Sequence, residues 1–172
     1  MSLMVDSAPP GVCAGTRRKV AFSGLQGRLL RALLQLPFVR YHRIQRGFVE
    51  RPAEYRRFLR DVIGRRIAVT SGPVAVFGCG EHTRILLASV PGLLDRVHCF
   101  ADNNAALWHQ ERFGRPVLPP REAVRTCEVF VLSTAVFQHV LRADLRRIGY
   151  RGPIIAMDDH LPTHWFLGSD PS

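Results

Sequence analysis

The run Val74-Ala75-Val76-Phe77 enters the turn Gly78-Cys79-Gly80, and a helix-compatible segment, Glu81-His82-Thr83-Arg84, follows at once. A second apolar run, Val97 to Ala101, then ends in Asp102. Strand, glycine turn, helix N-terminus, strand and acidic residue make up a βαβ unit of the nucleotide-binding kind. Gly78 suits backbone angles that a side chain forbids. Gly80 lets a ligand approach the main chain, and the helix start offers free N–H groups and a partial positive charge to a phosphate. Asp102 is placed to accept hydrogen bonds from a sugar hydroxyl. The third glycine of G-x-G-x-x-G is replaced by Thr83. This threonine is expected to push helix and strand apart or to narrow the phosphate site, which favours a nucleotide or nucleotide sugar over a dinucleotide.

Downstream, apolar runs alternate with helical patterns. Strands are expected at 74–77, 97–101, 114–118, 129–132 and 154–157. Helices are expected at 81–89, 120–124 and 135–148, the last capped by Ser133 or Thr134 with Val136, Val140, Leu141 and Leu145 inward. A short helix is expected to follow Asn104 through Trp108. This alternation predicts an α/β fold with a parallel sheet and right-handed crossovers. Ligands of such sheets lie beyond the carboxyl ends of the strands. The segments there are Gly78–Thr83, Asp102–Asn104, Ser133–Thr134 and Asp158, and they should converge on one crevice.

The charge is uneven. Residues 1–72 carry fourteen basic residues against four acidic ones, which is the whole net charge of +10. Residues 1–20 have no apolar periodicity and read as a mobile tail. Two basic amphipathic helices follow within a helical segment at 21–72. The first has Phe22, Leu25, Leu29, Leu33 and Leu36 on one face and ends at Pro37. The second runs from about Pro52 to Ile63, with Tyr55, Phe58, Leu59 and Val62 apolar and Arg56, Arg57 and Arg60 toward solvent. The sheet domain spans 73–160, and 161–172 form a C-terminal tail. The basic helices have several uses open to them. They can pack on the sheet domain, on a second copy or on another protein through residues 21–66, or lie on a membrane surface or nucleic acid. Residues 7–49 lack acids, which is also the composition of a transit peptide. No segment reaches the roughly 20 apolar residues of a membrane span.

Cys13, Cys79, Cys99 and Cys127 are widely spaced and form no C-x-x-C pair, so reduced thiols and a cytoplasmic setting are expected. Cys79 at a helix start has the position of a reactive thiol, but a small turn residue is the favoured reading. In Asp158-Asp159-His160 with His164 the histidine spacing would put both imidazoles on one helical face, but Pro162 lies between them and there is no H-E-x-x-H pattern, so no metal is expected. Trp165 and Phe166 are expected to pack on the domain or a partner. His82 is the one weak candidate for acid–base chemistry, and no catalytic constellation is complete.

Four motifs in order, Phe77–Arg84, Phe100–Asn104, Phe113–Ala123 and Val131–Thr134, resemble a Rossmann-like domain of carbohydrate biosynthesis. Residues 73–158 are similar to the C-terminal domain of sugar C-methyltransferases and the N-terminal domain of nucleotide-sugar acetyltransferases. The resemblance implies a nucleotide, nucleotide-sugar or NAD(P) ligand. It puts Gly78, Gly80, His82 and Thr83 on the phosphate side, and Asp102 and Asn103 on the sugar or base side. Glu81, Ser133 and Thr134 complete the candidate ligand-binding set. The 172 residues hold neither a separate S-adenosylmethionine domain nor a left-handed β-helix, so a free-standing relative is expected. It would be a small enzyme or an accessory subunit. The alternative is a non-catalytic interaction module that works through its basic N-terminal helices.

Overall fold

The structure, a computed structural model, describes residues 49–134 and 137–161. The helix expected at 22–36, the N-terminal tail, Val136, and His164, Trp165 and Phe166 lie outside the described residues. The described chain runs from α1 (Pro52–Phe58) through a π-helical turn (Leu59–Gly64) into α2 (Arg65–Ala68), then β1 (Val74–Phe77), α3 (Glu81–Ser89), α4 (Leu93–Arg96) and β2 (Val97–Ala101). It continues with β3 (Glu111–Arg112), β4 (Arg115–Leu118), α5 (Pro120–Thr126), β5 (Val129–Leu132), α6 (Gln138–Arg147) and β6 (Ile154–Ala156). These form an α/β structure with one six-stranded sheet in the order β3-β4-β2-β1-β5-β6. All pairings are parallel except β3 with β4.

β1 and β5 are buried along their whole length, as their unbroken Val/Phe/Leu runs require of central parallel strands. They pair in register from Val74↔Val129 to Phe77↔Leu132. Between β1 and β2 the register shifts, leaving exposed His98 as the extra residue. Side chains alternate between the two faces. Val74, Val76, Phe100, Val129 and Val131 join Tyr55, Leu59, Ile63, Ile67 and Leu86 in one core cluster. Ala75, Phe77, Cys99, Phe130 and Leu132 join Ala123, Leu141, Leu145 and Tyr150 in the other.

The helix expected to end near Ile63 continues to Ala68. Besides Phe58, its buried residues Tyr55, Leu59, Ile63 and Ile67 are spaced by four. In an α-helix four residues turn about 400°, so such a row drifts around the axis. The π turn rotates less per residue and returns Ile63 and Ile67 to the sheet side. Val62, expected to share this face, is only half-buried, and Arg56, Arg57, Arg60, Arg65 and Arg66 are exposed. Arg96 fastens the helix end, its guanidinium donating to the carbonyls of Ile67 (2.5 Å), Thr70 (2.8 Å) and Gly72 (3.4 Å). No helix of the described residues is long and apolar enough to cross a membrane.

Three local readings change. Gly114, read as part of a strand, forms with Phe113 the two-residue turn between β3 and β4, with φ of 75° and 50°. Two positive φ angles suit a tight hairpin. Phe113 is an unusual residue there, held by its ring against Phe100 at 5.4 Å. Val140, expected inward, is 41% exposed, while Leu141 and Leu145 carry the buried face of α6. The segment after Asn104 forms only a 3-10 turn, Ala105–Leu107.

Candidate functional site

β1 pairs with β2 on one side and β5 on the other, so the chain leaves the sheet centre in opposite directions and a gap opens at the carboxyl ends. A cavity of about 400 Å³ occupies the gap. It brings together Gly78, Gly80, Glu81, His82, Asp102, Asn103, Ser133 and Thr134 from the sequence-derived set. Thr83 lies just beneath it, fully buried. Phe137, Val140 and Leu141 of the α6 side supply an apolar wall that the sequence pattern did not reveal. Among the described lining residues there is no lysine or arginine.

The two glycines serve different ends. Gly78 has φ +101°, donates its N–H to the Ala101 carbonyl at 2.7 Å, and would put a Cβ 2.6 Å from the Ser133 carbonyl oxygen. The backbone itself demands glycine there. Gly80 has ordinary extended angles, φ −94° and ψ −158°, and a Cβ on it would meet nothing within 4 Å. It stands at the N-cap of α3, where no side chain caps the first turn. The N–H groups of that turn therefore have no capping side chain where the helix start meets the cavity.

Asp102 shapes the turn. One carboxylate oxygen accepts from the Cys79 N–H (3.2 Å) and thiol (3.3 Å), and the other accepts from the Asn104 N–H (2.9 Å). Burial, with the carboxylate beside it, pushes the Cys79 thiol up to about 12, so it stays protonated and unreactive at neutral pH. The Asp102 carbonyl accepts from the Trp108 indole N–H at 2.7 Å.

Beneath the cavity runs a buried polar chain. Tyr55 Oη lies 2.5 Å from His82 Nε2, His82 Nδ1 lies 2.9 Å from Ser133 Oγ, and Ser133 Oγ lies 2.9 Å from Thr83 Oγ1. Thr83 Oγ1 is 2.8 Å from the Gly78 carbonyl oxygen. A carbonyl only accepts, so the single Thr83 hydroxyl proton goes to Gly78, and the other directions follow when each remaining contact is made as a hydrogen bond. Thr83 donates to Gly78, Ser133 donates to Thr83, His82 Nδ1–H donates to Ser133, and Tyr55 donates to unprotonated Nε2. Burial holds His82 down at about 4 and raises the Tyr55 phenol, so both are neutral at pH 7. The Ser133 proton points away from His82, which is the wrong sense for a serine nucleophile activated by histidine. His82 spends both ring nitrogens within the fold, and Thr83 ties α3 to the glycine turn instead of spreading them. Tyr55 was the residue missed. Its one signal in the sequence is a phenol on an otherwise apolar helix face, which needs a buried partner.

The β5–α6 connection is fastened separately. Thr134 Oγ1 accepts from the Phe137 N–H at 3.4 Å, and Gln138 donates to the Thr134 carbonyl (2.7 Å) while accepting from the Asp158 N–H (3.1 Å). Asp158 is buried, and Arg142 bridges toward it (3.8 Å) and to Asp159. The arrangement as a whole offers backbone N–H groups, a shaped polar floor and an apolar wall, which are means of binding. No family model, curated protein or solved structure matches the chain.

Proposed function

We propose that the chain is a Rossmann-like nucleotide-binding protein that serves carbohydrate or secondary-metabolite biosynthesis, as a small enzyme or an accessory subunit. The observation that carries this reading is Gly80: a glycine that neither backbone angle nor packing requires, at the uncapped start of α3, on the rim of the strand-reversal cavity. Room for a ligand's phosphates explains it. The order of the five parallel strands supports the reading, since by chain position they run third, second, first, fourth, fifth, as in doubly wound nucleotide-binding sheets. In this reading phosphates lie over Gly80 and the first turn of α3, Asn103 and the outer side of Asp102 meet sugar hydroxyls, and Phe137 and Val140 cover an apolar part of the ligand. With no cationic side chain among the described lining residues, the helix N-terminus supplies the attraction.

The test is a thermal-shift panel of NAD, NADP, S-adenosylmethionine, free nucleotides and UDP-, TDP- and GDP-sugars. A ligand at a hundred times its Kd adds about 2.7 kcal/mol to stability. Gly80→Val should fold normally, because its Cβ enters open space, and should lose the shift. A folded G80V chain with unchanged affinity, or no shift with any nucleotide, would overturn the reading.

A further inference from the structure

A second cavity of about 620 Å³ lies along the same edge of the sheet and shares Asn103 with the first. Its apolar side is Trp108 with Pro119 and Pro120. Its polar side is Arg121, Glu122, Asp144 and Arg147. The volume is that of a small-molecule site.

Three features define what fits. Trp108 is anchored by its N–H to the Asp102 carbonyl, so the indole is a fixed wall. The charged groups balance, two guanidiniums against two carboxylates, in a chain of net charge +10. Asp144 already holds Arg147 at 2.8 Å and accepts from Asn103 at 3.4 Å, which offsets the Arg147 charge. A phosphate would find little net attraction here. The polar side chains are planar and present donors and acceptors in adjacent pairs. That suits neighbouring hydroxyls, while an indole beside proline rings suits the C–H face of a saturated ring.

We propose that this groove binds the sugar ring of a nucleotide sugar whose nucleotide lies in the adjoining cavity. The proposal rests on the nucleotide-binding reading and adds a subsite to it. Trp108, Asp144 and Arg121 become determinants of which sugar is accepted.

The experiment compares UDP-, TDP- and GDP-hexoses with their own nucleoside diphosphates by calorimetry on the full chain. At least one sugar nucleotide should bind about tenfold tighter than its diphosphate. Trp108→Ala should remove that advantage and leave the affinity for the diphosphate within about twofold. Fluorescence gives a readout that does not depend on this variant folding. The chain has two tryptophans, so Trp165→Phe isolates Trp108, whose emission should change more with the sugar nucleotide than with the diphosphate. Equal losses for both ligands in W108A, or equal emission changes, would mean that a base stacks on the indole and would overturn the proposal. Diphosphate binding with no gain from any hexose would overturn it and leave the nucleotide reading standing. Absence of all nucleotide binding would overturn both.

Discussion

His82 shows how far a residue's place can be read without its role. Its position at a helix start beside a glycine turn is plain from sequence, and so are Gly78, Gly80, Asp102, Ser133 and Thr134 at strand ends. The direction of its hydrogen bonds is not, because it is set through Ser133 and Thr83 by the Gly78 carbonyl and ends on Tyr55, 27 residues earlier. The consequence is a pH dependence with a definite sign. The folded state holds His82 at about 4, below its ordinary value near 6.5, chiefly through burial. Between these values the unfolded chain binds the extra proton and the folded chain does not. Its contribution is therefore complete above about pH 6.5 and is lost as pH falls toward 4, amounting to about 3 kcal/mol. Urea melts from pH 7 to 4.5 should show this loss, and His82→Gln should lack that part of the slope. H82Q should also be less stable at pH 7, by about 1–3 kcal/mol for the broken buried chain. Parallel pH profiles for the two proteins would show that burial does not hold the imidazole neutral.

Among the elements, the strands were the most legible, because central parallel strands are short, unbroken apolar runs. The hairpin at Phe113-Gly114 was hidden, since its turn uses an aromatic residue held by Phe100 in place of Asn or Gly. The far half of the α1–α2 helix was hidden too, because a four-residue apolar spacing fails the 3.6-residue pattern unless a π turn corrects it. That correction predicts where stability lies. Ile63→Ala and Ile67→Ala should each cost about 2–5 kcal/mol, as fully packed aliphatic residues do. Val62→Ala, half-buried, should cost clearly less. Denaturant midpoints would reveal a reversed ranking if the helix kept α-helical phase through Leu59–Gly64.

For the whole molecule, the α/β class could be read from alternation, but strand order could not, since periodicity does not say which strands are neighbours. Nor did the charge pattern tell which surface the basic segment would choose. Its second helix presents Tyr55, Leu59, Ile63 and Ile67 to the sheet and its arginines to solvent. Removing residues 1–70 should therefore bare the face built from Val74, Val76, Phe100, Val129 and Val131. The truncated chain should bind a hydrophobic dye and melt without cooperativity, by calorimetry and dye fluorescence together. A cooperative, well-packed truncated domain would show that the helix is an accessory.

The same packing has a consequence during synthesis. Ile63 leaves the ribosome well before Val129 and Val131, with which it shares a core. At translation rates of about 5–20 residues per second, an apolar helix stripe stays uncovered for seconds while the strands that will cover it are still being made. The arginines flanking that stripe keep the waiting helix hydrated on its other side. Nascent chains stalled before residue 129 should be held by chaperones, and those stalled well past 156 should be released.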